Sequence, residues 1–187
     1  MALRDPSAPA ALRSRRRVLG IDPGSRVTGF GVLEGPQDRI HTVATGTIRL
    51  NEEEPLATRL STLHARLMAI ISDHAPTEVA IERVFVSRNA DSALKLGHAR
   101  GVCLLAVSQA GLPLFEYAPA MVKKAVTGRG RADKHQMTAL MTLMLGLPHE
   151  PSQDAADALA IALCHLLLAE ERALFEAASE RPAGHAR

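Results

Sequence analysis

The chain has 187 residues, of which 47% are apolar and 22% are charged, and its formal net charge is +2. This length and composition predict one globular domain with a substantial core and exclude a disordered protein. No uninterrupted apolar stretch reaches the length of a membrane span, because Asp157 and His165 break the best run, Ala155 to Ala169.

The chain divides into a basic arm, one folded domain and a short tail. Residues 1–16 contain four arginines and are predicted to be a disordered arm. No apolar segment with a cleavage site follows this arm, so we expect no signal peptide. The folded domain is predicted over residues 17–178, and a loose tail over 179–187.

Three strands are predicted first, and they make an antiparallel meander. They cover Arg17–Ile21, Thr28–Leu33 and His41–Leu50, with Pro and Gly turns between them. The apolar spacing then becomes helical from Pro55 to His74. A short buried strand, Glu78–Ile81, follows Pro76.

The second half of the domain is predicted to be mainly helical. A helix over Asp91–Ala110 is expected to turn most of its apolar residues inward and to pack closely against a neighbour at Gly97 and Gly101; the residues expected inward are Ala93, Leu94, Leu96, Val102 and Leu105. A fifth strand and three helices complete the pattern: Leu114–Tyr117, Pro119–Thr127, Lys134–Leu145 and a last helix from Ser152 to the late 170s. The fold class is therefore α/β, a five-stranded mixed sheet with three antiparallel strands, then two parallel ones, and helices on both faces.

Cys103 and Cys164 both lie in apolar helical stretches. We predict buried thiols rather than a disulfide, which fits a cytoplasmic protein. The sequence has no paired cysteines with the spacing of a structural zinc site.

Four acidic residues occupy positions where apolar residues are expected. Asp22 and Glu82 each follow a buried strand, and Asp154 and Asp157 open the last helix three residues apart, on one face. Individually, Asp22 also suits a turn, and Asp154 also suits the positive end of a helix dipole. Converging carboxylates repel unless a cation lies between them, and oxygen ligands suit Mg²⁺ or Mn²⁺. The four positions together predict a divalent-metal enzyme.

Charge is strongly segregated along the chain. Residues 83–134 contain nine Lys and Arg against three acidic residues, a local balance of +6, whereas residues 150–180 contain seven acidic residues against one Arg, a balance of −6. Solvated helix faces would explain either block alone. Together with the carboxylates, the basic block favours a phosphodiester substrate.

The motifs around these carboxylates resemble one family specifically. The segments that carry the resemblance are Gly20-Ile21-Asp22-Pro23-Gly24, Glu82-Arg83-Val84-Phe85, the run from Asn89 to Gly101, and Asp154-Ala155-Ala156-Asp157-Ala158-Leu159-Ala160. They are similar to the RuvC family of bacterial Holliday junction resolvases, over roughly Val18 to Leu168. The resemblance implies a ribonuclease-H-like nuclease domain and a homodimeric endonuclease that resolves four-way DNA junctions in recombination and repair.

The same resemblance implies a metal site and its chemistry. The ligands would be Asp22, Glu82, Asp154 and Asp157, holding two Mg²⁺ ions per subunit, with Mn²⁺ as an alternative. Two such ions, held ~4 Å apart, would clamp a scissile phosphate; one would activate a water and the other would stabilise the departing 3′ oxygen. The products would carry a 5′ phosphate and a 3′ hydroxyl.

The resemblance also implies cations near the cleaved phosphate, at Lys123 and Lys134. Lys123 stands beside Lys124, and the sequence leaves open which of the two points inward. A solvated lysine at a helix start is the simpler interpretation of Lys134. Further candidates for contacts with the DNA backbone are Arg83, Arg88, Lys95, Arg100, Arg129 and Arg131.

Phe85 is predicted to stack on a base near the junction centre. The chain has only four Phe, one Tyr and no Trp, and an aromatic residue in such a position is more often part of a core. The family resemblance favours the stacking role. The helix over Asp91–Ala110 is an alternative surface for self-association, since two-fold symmetry suits paired nicks. By resemblance, the branch-migration proteins RuvA and RuvB are further expected partners.

Three other functions remain open. An actin-like ATPase also begins with an Asp-Gly strand turn, but it needs more phosphate-binding loops than this chain offers, and no P-loop motif is present. A non-catalytic junction-binding module would not need four carboxylates. Another ribonuclease-H-like nuclease, acting on RNA–DNA hybrids, would share the same site.

Overall fold

A computed structural model describes residues 16–36, 39–83, 90–128 and 134–179, with the side chains of 134, 135 and 170–179 left out. Within these ranges the chain forms five strands and five helices. The strands are β1 (Arg17–Asp22), β2 (Val27–Glu34), β3 (His41–Arg49), β4 (Glu78–Glu82) and β5 (Leu114–Tyr117). The helices are α1 (Leu56–His74), α2 (Ala90–Gln109), α3 (Pro119–Thr127), α4 (Lys134–Leu145) and α5 (Gln153–Ser179).

The five strands form one mixed sheet in the order β3-β2-β1-β4-β5. β1, β2 and β3 pair antiparallel, whereas β4 pairs parallel with both β1 and β5. The predicted meander followed by two parallel strands is therefore confirmed. Because β1 and β4 are central and parallel, their carboxyl ends meet at one edge of the sheet, where Asp22 and Glu82 stand.

The helices cover both faces of the sheet, and each face has its own core. One core joins β1, β4 and β5 to α3, α4 and α5 through residues such as Val18, Ala80 and Leu159. The other joins the opposite face of the sheet to α1 and α2 through residues such as Ile81 and Leu67. Alternate strand residues point to opposite faces, so this division follows from the period of a strand.

α5 lies close to β1 and β2 because glycines line the contact. A Cβ atom added to Gly20 of β1 would lie 2.1 Å from the carbonyl oxygen of Ala158, and one on Gly29 of β2 would lie 1.9 Å from that of Asp154. Only glycine permits this approach. α5 therefore crosses β1 and β2 with its first turn at the carboxyl end of β1.

α2 differs from its predicted packing. Leu94 and Leu105 were expected to face inward, but they are 61% and 52% exposed. The buried residues of α2 are Ala99, Cys103, Ala106 and Val107. Gly97 and Gly101 were expected to pack closely, yet a Cβ atom on either would meet no described atom within 4 Å. This helix has two apolar sides. The side that packs against the core carries mainly small residues, and Leu94 and Leu105 lie on the other.

Both cysteines are buried free thiols, as predicted. Burial raises the pKa of Cys103 to about 12, and the carboxylate of Asp22 contributes to this rise. Among the described helices, none combines the length and hydropathy that a membrane crossing requires. The arm at residues 1–15 and the tail at 180–187 lie outside the described residues.

Candidate active site

The site begins with two carboxylates on neighbouring strands. The register of β1 with β4 runs through Ile21 opposite Ile81, so Asp22 and Glu82 are the next residue of each strand. Gly20 faces α5, and Ala80 packs in the core that α5 forms. Since side chains alternate, Asp22 and Glu82 point to the same face of the sheet as these residues, toward α5.

α5 brings the other two carboxylates to this edge. The carbonyl of Asp154 touches Gly29, which is the neighbour of Asp22 across the β1–β2 pair. Asp157 follows three residues later, on the same side of the helix. It is half-buried, whereas its neighbours Ala156 and Ala158 are fully buried. The helix therefore delivers both aspartates to the strand ends through its first turn.

The pKa of Glu82 depends on the charges near this edge of the sheet. Burial raises its pKa, the negative charge of Asp157 raises it further, and the positive charge of Lys123 opposes the two. Glu82 therefore interacts with a carboxylate from α5 and a cation from α3. Of the two adjacent lysines, Lys123 is the one whose charge lowers the pKa of Glu82, and both side chains are exposed. Which of the two acts near the cleaved phosphate stays a prediction.

The turn after Asp22 is held by contacts that the sequence did not reveal. The buried Thr28 hydroxyl accepts a hydrogen bond from the Gly24 amide at 3.3 Å and approaches the Gly24 carbonyl at 3.2 Å. Arg59 of α1 donates to the carbonyl of Ser25. These contacts fix the path of the chain as it leaves Asp22. A threonine within a strand and an arginine on an amphipathic helix carry no signal of this role.

The predicted DNA-contacting residues fall into four groups, the last of which is Arg83 with Arg100. Lys123 and Lys124 on α3 are exposed. Lys95 forms an exposed ion pair with Asp91 at 2.6 Å. Phe85, Arg88, Arg129 and Arg131 lie outside the described residues, as does the side chain of Lys134, the first residue of α4.

Arg83 and Arg100 are held by a single acidic residue, Glu116 of β5. Arg100 lies 2.6 Å from the Glu116 carboxylate, and Arg83 lies 3.9 Å from it. The Arg100 side chain also donates to the Glu82 carbonyl at 3.4 Å. Arg100 is therefore tied to the backbone of a candidate ligand, whereas Arg83 remains largely exposed. The pairing joins residues 16 apart in the chain, so no local pattern predicts it.

The proposed donor set suits a hard divalent cation, since it consists of four carboxyl groups, and burial together with the nearby charge of Asp157 raises the pKa of one of them, Glu82. Among the described residues, no group of three or more His, Cys, Asp or Glu side chains is arranged so that it could hold a metal ion as it stands. The backbone thus brings the four positions to one edge of the sheet, although the described side chains do not form a coordination sphere. Their role as ligands stays a prediction.

Comparison with known proteins identifies the family. The family model described as crossover junction endodeoxyribonuclease RuvC matches residues 18–165. The chain belongs to the RuvC family. It is 56% identical over 150 residues to the crossover junction endodeoxyribonuclease RuvC of Magnetococcus marinus, covering 80% of this chain and 83% of that protein. The RuvC of Halorhodospira halophila is 55% identical over 150 residues, covering 80% and 89%.

The fold is that of a solved RuvC structure as well. The Thermus thermophilus RuvC in complex with a Holliday junction substrate has a TM-score of 0.79 and 34% identity to this chain, covering 84% of it and 96% of that protein. The ribonuclease-H-like fold expected from the motifs is therefore confirmed.

Proposed function

We propose that this RuvC-family protein is a structure-selective endonuclease that resolves four-way DNA junctions by paired nicks during recombination and repair. The family match supports the reaction class. The observation within this chain that carries the proposal is that Asp22 and Glu82, at the carboxyl ends of adjacent parallel strands, lie beside the first turn of α5, which carries Asp154 and Asp157. Acidic ligands beside a cation suit hydrolysis of a phosphodiester.

The metal site is proposed at Asp22, Glu82, Asp154 and Asp157, with two Mg²⁺ ions and Mn²⁺ as an alternative. When bound, such ions lower the pKa of a water and offset charge on the phosphate oxygens. Asp22 and Glu82 would bind the ions from the strand ends, and the two aspartates of α5 would bind them from the helix. Lys123, from the adjacent helix, would orient the scissile phosphate and offset negative charge beside Glu82.

The proposed DNA surface is the basic block around this edge. Lys123 and Lys124 are exposed there. Arg83 is exposed next to Glu82, and Glu116 restrains it only weakly at 3.9 Å. Lys95, Lys134 and the predicted contacts at Arg88, Arg129 and Arg131 belong to the same proposal, as does base stacking by Phe85. Arg100 is assigned a different part, since its contacts support the backbone of Glu82.

Self-association into a homodimer is proposed through α2. Leu94, Gly97, Gly101 and Leu105 follow one another at spacings of three and four residues, so they lie along one stripe of the helix. The leucines are exposed and the glycines leave open space between them. Two such stripes related by a two-fold axis would bury the leucines and let the helices approach closely at the glycines. A symmetric dimer would place two active sites on one junction.

RuvA and RuvB are proposed as further partners, and the cytoplasm as the compartment. The cytoplasm contains the DNA on which such an enzyme acts, and a reducing compartment suits two free buried thiols.

Cleavage of a synthetic four-way junction tests the function directly. The protein is incubated with the end-labelled junction and Mg²⁺, Mn²⁺ or chelator, and the nicks are mapped on each strand. We expect metal-dependent nicks at symmetric positions on opposing strands, with 5′ phosphate ends, and no cutting of a linear duplex of the same sequence. Preferential cutting of an RNA–DNA hybrid, or equal cutting of the linear duplex, would contradict the proposal.

A further inference from the structure

A buried chain of hydrogen bonds links β4, β5 and α5 beneath the candidate site. The hydroxyl of Tyr117 lies 2.7 Å from Nδ1 of His165, and Nε2 of His165 lies 2.5 Å from the carboxylate of Glu78. Tyr117 and His165 are 2% and 1% exposed. The ring of Phe115 packs on the imidazole at 4.4 Å between centroids. Arg16 approaches the second oxygen of Glu78 at 3.6 Å.

A neutral His165 beside an ionised Glu78 satisfies both bonds of this chain. Nε2–H of His165 then donates to the Glu78 carboxylate, which only accepts. Nδ1 in turn accepts from the hydroxyl of Tyr117. Buried polar groups are costly when unpaired, but a fully paired network favours one arrangement of the elements that carry it. The chain therefore specifies how α5 sits on β4 and β5.

The three elements in this chain are the ones that carry or adjoin the proposed ligands. Glu78 opens β4 and Glu82 ends it, four residues later on the same face. Tyr117 is the register partner of Glu82 on β5, and its carbonyl accepts the amide of Arg83 at 2.7 Å. His165 lies on α5, eleven residues after Asp154, which is close to three turns and so nearly the same face.

Apolar packing makes up much of the remaining contact between α5 and the sheet. Ala158 and Ala162 lie against Gly20, the backbone at Asp154 lies against Gly29, and the side chain of Leu159 lies against Gly31. Apolar packing is non-directional, so it defines the position of the helix less specifically than hydrogen bonds do. A shift of the helix by one residue moves its side chains by about 1.5 Å along its axis. A displacement of about 1 Å in a catalytic constellation costs about 100-fold in rate.

We infer that Glu78, His165 and Tyr117 are positioning residues that lock α5 against β4 and β5, so that Asp154 and Asp157 reach the same metal ions as Asp22 and Glu82. The inference rests on the proposed metal site. It assigns a part in the reaction to three residues that touch neither metal nor DNA.

Manganese binding and kinetics of Tyr117→Phe test this role. The change removes one hydroxyl and keeps the ring in place. Mn²⁺ affinity is measured by electron paramagnetic resonance of the free ion, without DNA, and kcat and KM are measured on the junction at a temperature where the protein is fully folded. We expect about a 10-fold loss in Mn²⁺ affinity and in kcat, with KM for the junction unchanged. Wild-type values for both would overturn the inference.

Two further comparisons separate positioning from simple stability. Met141→Ala removes a fully buried side chain from the same core without touching the hydrogen bonds. It is expected to lower the thermal midpoint and to leave Mn²⁺ affinity unchanged; an equal loss of affinity would overturn the inference. Glu78→Gln, which keeps an acceptor for His165, should retain most of the affinity that Glu78→Leu loses, and equal losses would count against positioning.

The Mn²⁺ readout also keeps the inference distinct from the junction-cutting proposal. If the wild-type protein binds Mn²⁺ but cuts no junction, the proposed function fails. The positioning role then still stands or falls on the affinity of Tyr117→Phe.

Discussion

At the residue scale, Glu82 is the side chain that connects the parts of the site. It ends β4, its carbonyl accepts from Arg100, and its carboxyl group interacts with Asp157 and Lys123. Burial and a like charge both disfavour its ionised form. In the proposed metal site, a bound divalent cation would reverse that balance and favour the ionised form of Glu82.

Glu82→Gln tests this carboxylate. The amide keeps the size of the side chain but loses the charge that holds a cation, so we expect junction binding to persist and cleavage to fall about 100-fold or more, since a metal ion contributes several kcal/mol to the reaction. Gel-shift and cleavage assays on one junction measure both. Glu53→Gln, an exposed glutamate in the loop before α1, is the matched control and should behave as wild type. Wild-type cleavage by Glu82→Gln would remove the residue from the site.

The raised pKa of Glu82 predicts the acid limb of the pH profile. The group holds its proton at a higher pH than an ordinary carboxyl group of pKa 4.5, so it becomes a ligand only as the pH rises through the raised value. Activity is therefore lost as the pH falls through that value. Because Mg²⁺ competes with the proton, a higher Mg²⁺ concentration should move the limb to lower pH. Cleavage rates measured across pH at two Mg²⁺ concentrations check this. An acid limb at the same pH for both concentrations would contradict it.

At the scale of elements, the site depends on how closely α5 crosses β1 and β2. Gly20 and Gly29 leave room for the helix backbone, and the Glu78–His165–Tyr117 chain holds it in register. The aspartates reach the strand ends only because both conditions hold. Glycine at these positions is thus part of the site, although neither residue can bind a ligand through a side chain.

Gly20→Ala tests this close approach. The added methyl group would lie 2.1 Å from the carbonyl oxygen of Ala158, which is backbone and moves only with the whole helix. Overpacking of this kind costs about 1–3 kcal/mol or more, so we expect a lower free energy of unfolding together with weaker metal binding. Chemical denaturation measures the first. Ser61→Ala, at an exposed position of α1, should instead change the free energy of unfolding by less than about 0.5 kcal/mol. Equal effects of the two changes would refute the packing argument.

The sheet and the four acidic positions could be read from the sequence because their signals are local. A buried strand followed directly by Asp22 or Glu82 is visible in a few residues, and the change from strand to helical spacing marks each element. The packing of α2 was read wrongly, since Leu94 and Leu105 lie on an apolar stripe that faces away from this chain's core. Arg100 pairs with Glu116, and Tyr117 pairs with His165. Each pair joins distant parts of the chain, so no local sequence pattern predicts it.

At the scale of the whole molecule, the proposal gives two surfaces different roles. The exposed stripe of α2 would bind a second copy of the chain, and the basic edge would bind DNA. A four-way junction is itself two-fold symmetric, so two identical sites at a fixed separation suit paired nicks. The apolar stripe on an otherwise polar helix surface is the feature that a monomer does not explain.

Leu94→Glu tests the proposed dimer. A charged side chain within an apolar interface is buried without a partner, so we expect the dimer dissociation constant to rise about 10-fold or more. Sedimentation velocity over a concentration series measures it. Leu143→Glu, on the 80% exposed leucine of α4, makes the same chemical change away from α2 and should leave the dimer intact. Disruption by Leu143→Glu alone would place the interface on α4 instead.

The most direct test of the account is the position of Mn²⁺ in a crystal of the protein, located by anomalous scattering. The account predicts anomalous peaks at the carboxyl ends of β1 and β4, with oxygens of Asp22, Glu82, Asp154 and Asp157 at coordination distance, and loss of the peaks in Glu82→Gln. Peaks elsewhere in a crystal of active protein, with these four carboxylates uninvolved, would contradict it.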